Sequence, residues 1–341
     1  MNENTLISRY PGTFDMDSEM YNTTQAPALT TDYAGSDTWH ESVISAVIAV
    51  CGALFNSLSL VYFVRHDSDQ LGSRLLMPLN IFDLCVCSSS ALTVFLEFFW
   101  DFDKPSKGLA RALDVLLGVY VAAGESTAFA TCLLSVVRCW CLCFPFNKVN
   151  MKSLVISTAG FLVYTLGKET SYVALIWTCE SYREDDDTCT LPKFTEAREY
   201  LTIILISSII VIVVLSNSIS IKKVITSEGS EDLIELTKRA AVTVILVSIN
   251  FCLYNTFFIV LFCVFQKIPN RHNNFEYEFF EFLTFRVFLP MNSATNPLIY
   301  LVRKLEMRQF VLRGLNQCAC RIRREAVNSK EPSSPQTETW V

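Results

Sequence analysis

The sequence predicts an all-α membrane protein in which seven transmembrane helices form a bundle and a short amphipathic eighth helix follows. Three observations carry this prediction. Hydrophobic residues make up 51% of the 341 positions and charged residues only 18%, and the apolar residues gather in long stretches, too unevenly for one soluble domain. There are seven such stretches, each with the roughly 20 residues a helix needs to cross hydrocarbon. Lysine and arginine are concentrated in alternate connecting segments and in the tail, as expected for a chain threading the bilayer with its amino terminus outside.

Residues 1–42 read as an extracellular amino-terminal segment. They contain no apolar stretch of signal-peptide type, so the first span is expected to double as a signal anchor. Asn22-Thr23-Thr24 makes Asn22 a glycosylation acceptor. The bundle occupies residues 43–302, with spans near 43–64, 75–100, 109–142, 153–178, 199–221, 239–266 and 278–302; the longer ones imply tilt or extension into the cytoplasm. The net charge of −6 is concentrated outside, in the acids of the first forty residues and in Glu184-Asp185-Asp186-Asp187 of the second outer loop. Such a mouth steers cationic ligands inward. Of thirteen cysteines, Cys179 and Cys189 fall in an outer loop, where the oxidising compartment favours a disulfide.

Residues 303–317 alternate apolar and cationic side chains at helical spacing, an amphipathic helix on the inner membrane surface. The tail, 318–341, places Cys318 and Cys320 beside basic residues as candidates for palmitoylation. It ends in Glu338-Thr339-Trp340-Val341; Thr339 and Val341 have the pattern of a class I PDZ ligand, which adds as a strand to a sheet edge. No internal repeat supports a transporter built from repeated halves.

The most informative residues are polar ones where lipid should allow none. Asn292, Asn296 and Tyr300 recur every four residues on one helix face, and Pro297 removes a backbone donor from the same turn. Asp83 lies mid-way along the second span, where an ionised carboxylate costs about 2.5–3.5 kcal/mol on insertion scales. Asn56 sits at comparable depth in the first span.

Asn296-Pro297-Leu298-Ile299-Tyr300 resembles the Asn-Pro-x-x-Tyr signature of the seventh helix of rhodopsin-like G-protein-coupled receptors, and the prefix Asn292-Ser293 matches as well. Ser135-Val136-Val137-Arg138-Cys139, with Pro145-Phe146 beyond, resembles that family's Asp-Arg-Tyr box and second inner loop. The resemblance covers about residues 43–320. It implies a sodium site formed by Asp83, Thr127, Asn292, Ser293 and Asn296, bridged by Asn56; no other cofactor is expected. It implies a cytoplasmic switch of Arg138, Pro297 and Tyr300 that engages a heterotrimeric G protein, with arrestin as a further partner. The ligand pocket would include Tyr120, Phe251 and Arg286.

The departures are specific. Val137 replaces the acid that normally holds the arginine, and Cys139 replaces the tyrosine. The fifth and sixth spans lack their prolines, and either Phe251 or Leu253 takes the place of the sixth-helix tryptophan. The usual cysteine at the start of the third helix is missing. Tyr120 stands where amine receptors carry aspartate, and Pro290 where opsins carry lysine, which argues against both ligand types.

The expectation is therefore a non-enzymatic, multi-pass plasma-membrane receptor for an extracellular ligand, best matched by a cationic peptide, with a PDZ scaffold and lipid as further partners and no role for nucleic acid. The competing class is a seven-helix transporter or channel in which Asp83, Glu125, Lys168, Glu169 and Arg286 line a path.

Overall fold

The computed structural model describes residues 37–66, 71–100, 107–144, 149–182, 191–226, 231–265 and 282–328. The chain divides into Met1–Val43 and Ile44–Val341; of the first unit only the start of one helix is described, and everything below concerns the second.

Among the described residues the chain is helical throughout. α1 is Asp37–His66, α2 Leu71–Trp100, α3 Lys107–Cys143, α4 Met151–Tyr182, α5 Leu191–Thr226 and α6 Glu231–Phe265. A π-helical segment, Phe282–Phe288, leads into α7, Leu289–Arg303, and α8 follows as Leu305–Asn328. Local chemistry sets several boundaries. Asn150 caps α4 by accepting the Lys152 amide on its side-chain oxygen at 3.1 Å, which satisfies one of the orphan donors of the first turn. α7 ends because Lys304 adopts an extended backbone, φ −96° and ψ 107°. That single residue lets α8 leave in a new direction, and Arg308 then donates its amide to Lys304 at 3.2 Å.

Five of the helices are long and apolar enough to cross a membrane: Ser42–Arg65, Arg74–Leu96, Arg111–Cys143, Ala197–Thr226 and Val242–Leu261. The other two expected spans differ for visible reasons. α4 carries Lys168 and Glu169 near its middle, and α7 has 15 residues interrupted by Asn292, Asn296 and Pro297.

The distribution of polarity is inverted relative to a soluble protein. Asn56, Asn80, Asp83, Glu125, Glu169, Asn292 and Asn296 are buried, whereas Leu54, Ile156, Val163, Ile204 and Val302 stand on the outer surface. An apolar exterior around a polar interior suits hydrocarbon and would aggregate in water. The protein is membrane-embedded by this criterion.

α3 is the hub, packing against α2, α4, α5 and α6, while α7 packs on α2 and α6. At Gly52 of α1 a Cβ would lie 2.6 Å from Cys87 Sγ of α2 and 2.9 Å from Ala294 Cβ of α7. A core of Tyr62, Phe63, Leu76, Leu79, Leu134, Val247, Tyr300 and Met307 closes one end. α8 thus hangs from the core by Met307, and Tyr62 donates its hydroxyl to Glu306 at 3.2 Å. The helix runs to Asn328, past the expected boundary at 317.

Candidate functional site

The polar side chains of α1, α2, α3, α6 and α7 converge on Asp83. Its Oδ1 accepts from Thr127 Oγ1 at 3.1 Å and its Oδ2 from Asn296 Nδ2 at 2.8 Å. Ser293 is buried and faces the same carboxylate without completing a hydrogen bond. Asn56 donates its Nδ2 to the Gly52 carbonyl at 2.9 Å and the Ser293 carbonyl at 3.1 Å, joining α1 to α7. Helical periodicity explains the gathering: Asn292 and Asn296 are one turn apart, and the Pro297 break loosens the α7 backbone near which Asn56 inserts.

One member of the cluster was not foreseen as such. Asn250 of α6 donates Nδ2 to the Asn292 carbonyl at 3.2 Å, to Asn292 Oδ1 at 3.2 Å and to Asn296 Oδ1 at 3.3 Å. The five residues expected around sodium are therefore together, but not all their oxygens converge. Asp83, Thr127 and Ser293 offer a carboxylate and two hydroxyls, which suit a hard cation. Asn296 presents its N–H group to Asp83, and the side-chain oxygens of Asn292 and Asn296 are turned to Asn250.

Of the expected switch residues, Pro297 adjoins this cluster through Asn296, and Tyr300 and Arg138 lie further along α7 and α3. Tyr300 is fully buried against Phe63, with ring centroids 5.8 Å apart and nearly perpendicular. Arg138 is half-buried near the end of α3, and Val137 before it is buried.

The residues expected to line a ligand pocket fall in different packed clusters. Tyr120 packs with Val86, Ala123 and Leu289, with Arg286 in electrostatic range. Phe251 belongs to a different cluster, with Ala128, Ile209 and Val213. Between α6 and α7 lies a small cavity lined by Tyr254, Asn255, Phe258, Phe288, Leu289 and Asn292; none of the three expected residues lines it. The register of α6 is set by burial. Leu253 is 56% exposed on the outer surface while Phe251 is buried, so the inward position one turn above Phe251 belongs to Asn255, whose Nδ2 donates to the Phe251 carbonyl at 2.8 Å.

A second buried polar cluster ties α3, α4 and α5. Lys168 is ion-paired to Glu125 and, at 3.2 Å, to Glu169; Arg198 of α5 grips both oxygens of Glu169. Thr202 donates to Glu125 at 2.9 Å and accepts from Lys168 at 3.2 Å. The Arg198 guanidinium lies over the Tyr172 ring at 4.1 Å. Glu125, Lys168 and Glu169 thus belong together, while Asp83 belongs to the other cluster.

Cys320 is exposed on α8. Cys179 falls in the last turn of α4 rather than in a loop, and its side chain, like that of Cys318, lies outside the described residues. Asn22, Cys189, Thr339 and Val341 also lie outside them. The sequence matches no protein-family model and no curated protein.

Proposed function

We propose that the chain is a divergent rhodopsin-like G-protein-coupled receptor with seven spans, α4 and α7 included, its amino terminus outside and its place in the plasma membrane. The observation that supports this most is the gathering of Asn56, Asp83, Thr127, Ser293 and Asn296, from four helices, in one buried polar cluster in which Thr127 and Asn296 donate to the Asp83 carboxylate. That is the arrangement the resemblance implies, and residues so far apart in sequence have no local reason to meet. Arg138 near the end of α3 and Tyr300 in the core beside α8 stand where a cytoplasmic switch for a heterotrimeric G protein would be. Arrestin and, through Thr339 and Val341, a PDZ scaffold complete the proposed partners.

The ligand is a cationic peptide in this reading, drawn by the acidic mouth. The transporter alternative has less support, because Glu125, Lys168 and Glu169 are engaged with one another and with Arg198 instead of lining a path with Asp83.

The experiment is a screen of cationic and amidated peptides on cells expressing the chain, read by several second messengers, with Arg138→Ala alongside. A peptide that signals through the native chain, binds the variant equally and fails to signal through it meets the proposal. Ligand-driven current or uptake without any G-protein response would replace it with the transporter reading.

A further inference from the structure

The Asp83 cluster has a direction. Asn296 donates its amide nitrogen to Asp83 Oδ2 at 2.8 Å and so turns its oxygen away, the orientation an ionised carboxylate requires because it can only accept. That oxygen needs a donor, and Asn250 supplies it at 3.3 Å while also donating at 3.2 Å to Asn292 Oδ1. The three buried side chains Asp83, Asn296 and Asn250 form a chain in which every polarity is fixed by its neighbour. A small cation between Asp83, Thr127 and Ser293 would need the reverse: the Asn296 oxygen facing the ion and its nitrogen facing Asn250. Two N–H groups would then oppose each other in a buried site, each losing a partner, which is the costly half of hydrogen-bond energetics.

We propose that Asn250 acts as a built-in competitor of a small hard monovalent cation at Asp83, its amide occupying the oxygens of Asn292 and Asn296 that the ion would require. The site is accordingly latched to α6 in the cation-free form, and α6 must release α7 before an ion is fully coordinated. The inference concerns the helical cluster alone and needs nothing of the signalling reading.

Sodium is the probe. The full chain is purified in detergent, and its thermal unfolding midpoint is compared in sodium chloride and in N-methyl-glucamine chloride at equal ionic strength. The native chain should give midpoints within about 1 °C of each other. Asn250→Leu removes the donor, and Asn250→Asp offers an acceptor to the reversed Asn296; both should gain a sodium-specific rise of about 3 °C or more, the size expected of a ligand well above its Kd. The rise should vanish when Asp83→Asn is added to Asn250→Leu. If Asn250→Leu does not fold, the near-isosteric Asn250→Asp carries the test. A native midpoint raised by sodium as much as either variant's would overturn the proposal, as would two folded variants without any sodium response or a response that survives Asp83→Asn.

Discussion

Glu169 on α4 and Arg198 on α5 form a two-toothed ion pair inside an apolar surround, Arg198 donating from both Nε and a terminal nitrogen. α4 otherwise packs chiefly on α3 and little on α5, so this pair is a principal tie between α4 and α5. Removing Glu169 leaves Arg198 without its carboxylate, at a cost of about 3–5 kcal/mol, and removing Arg198 leaves Glu169 with Lys168 alone. Glu169→Gln and Arg198→Met should each lower the unfolding midpoint strongly, and the double variant should lose much less than the sum. Additive losses would mean that the two residues do not act as a pair.

The register of α6 makes a separate prediction. Phe251 is packed among Ala128, Ile209 and Val213, and its truncation to Ala should cost about 3–5 kcal/mol. Leu253 faces outward, and Leu253→Ala should change stability by less than about 1 kcal/mol. Thermal unfolding of the two variants in one detergent settles the order.

Gly52 has no room for a side chain between Cys87 and Ala294. Gly52→Val must push α1 away from α2 and α7 and strain the Asn56 bridge one turn on, costing about 1–3 kcal/mol or more. Surface expression should fall sharply, while Gly160→Ala on α4, where a Cβ meets nothing within 4 Å, should leave it unchanged.

Val137 is 6% exposed and precedes Arg138. Under the receptor reading, Val137→Asp supplies the acid that the resemblance leads one to expect. A pair contributing about 1 kcal/mol would shift a two-state equilibrium about fivefold, so ligand-free signalling per receptor at the surface should drop by roughly that factor. Unchanged basal output would show that Arg138 is restrained by other contacts.

What the sequence disclosed depended on contrast. Asp83, Asn56 and the Asn292-Ser293-Asn296 series are polar residues inside apolar stretches, so their convergence on one interior followed from period and depth. The described parts of all seven apolar stretches are helical, but α5 and α6 each begin eight residues before the expected spans. Asn250 is equally polar and equally deep, yet its role depends on the rotation of α6 against α7, which no spacing within α6 specifies. Phe251 and Leu253 were indistinguishable for the same reason. Arg198 lies one residue outside the expected fifth span, 199–221; α5 begins at Leu191, two turns before Arg198, and that helical extension delivers Arg198 to Glu169. α8 reaches Asn328, eleven residues past the expected boundary at 317.

The α3–α4–α5 cluster holds two acids, Glu125 and Glu169, and two bases, Lys168 and Arg198. With all four ionised they sum to zero. A voltage across the bilayer does about 2.3 kcal/mol of work per elementary charge per 100 mV when that charge crosses completely, and none on a neutral group that moves as one body. Asp83 is different, since the side chains bonded to it, Thr127 and Asn296, carry no charge. A field across the bilayer therefore does no net work on the α3–α4–α5 cluster moving as one body, whereas a charge on Asp83, on the cluster that joins α2 to α7, would feel it in full.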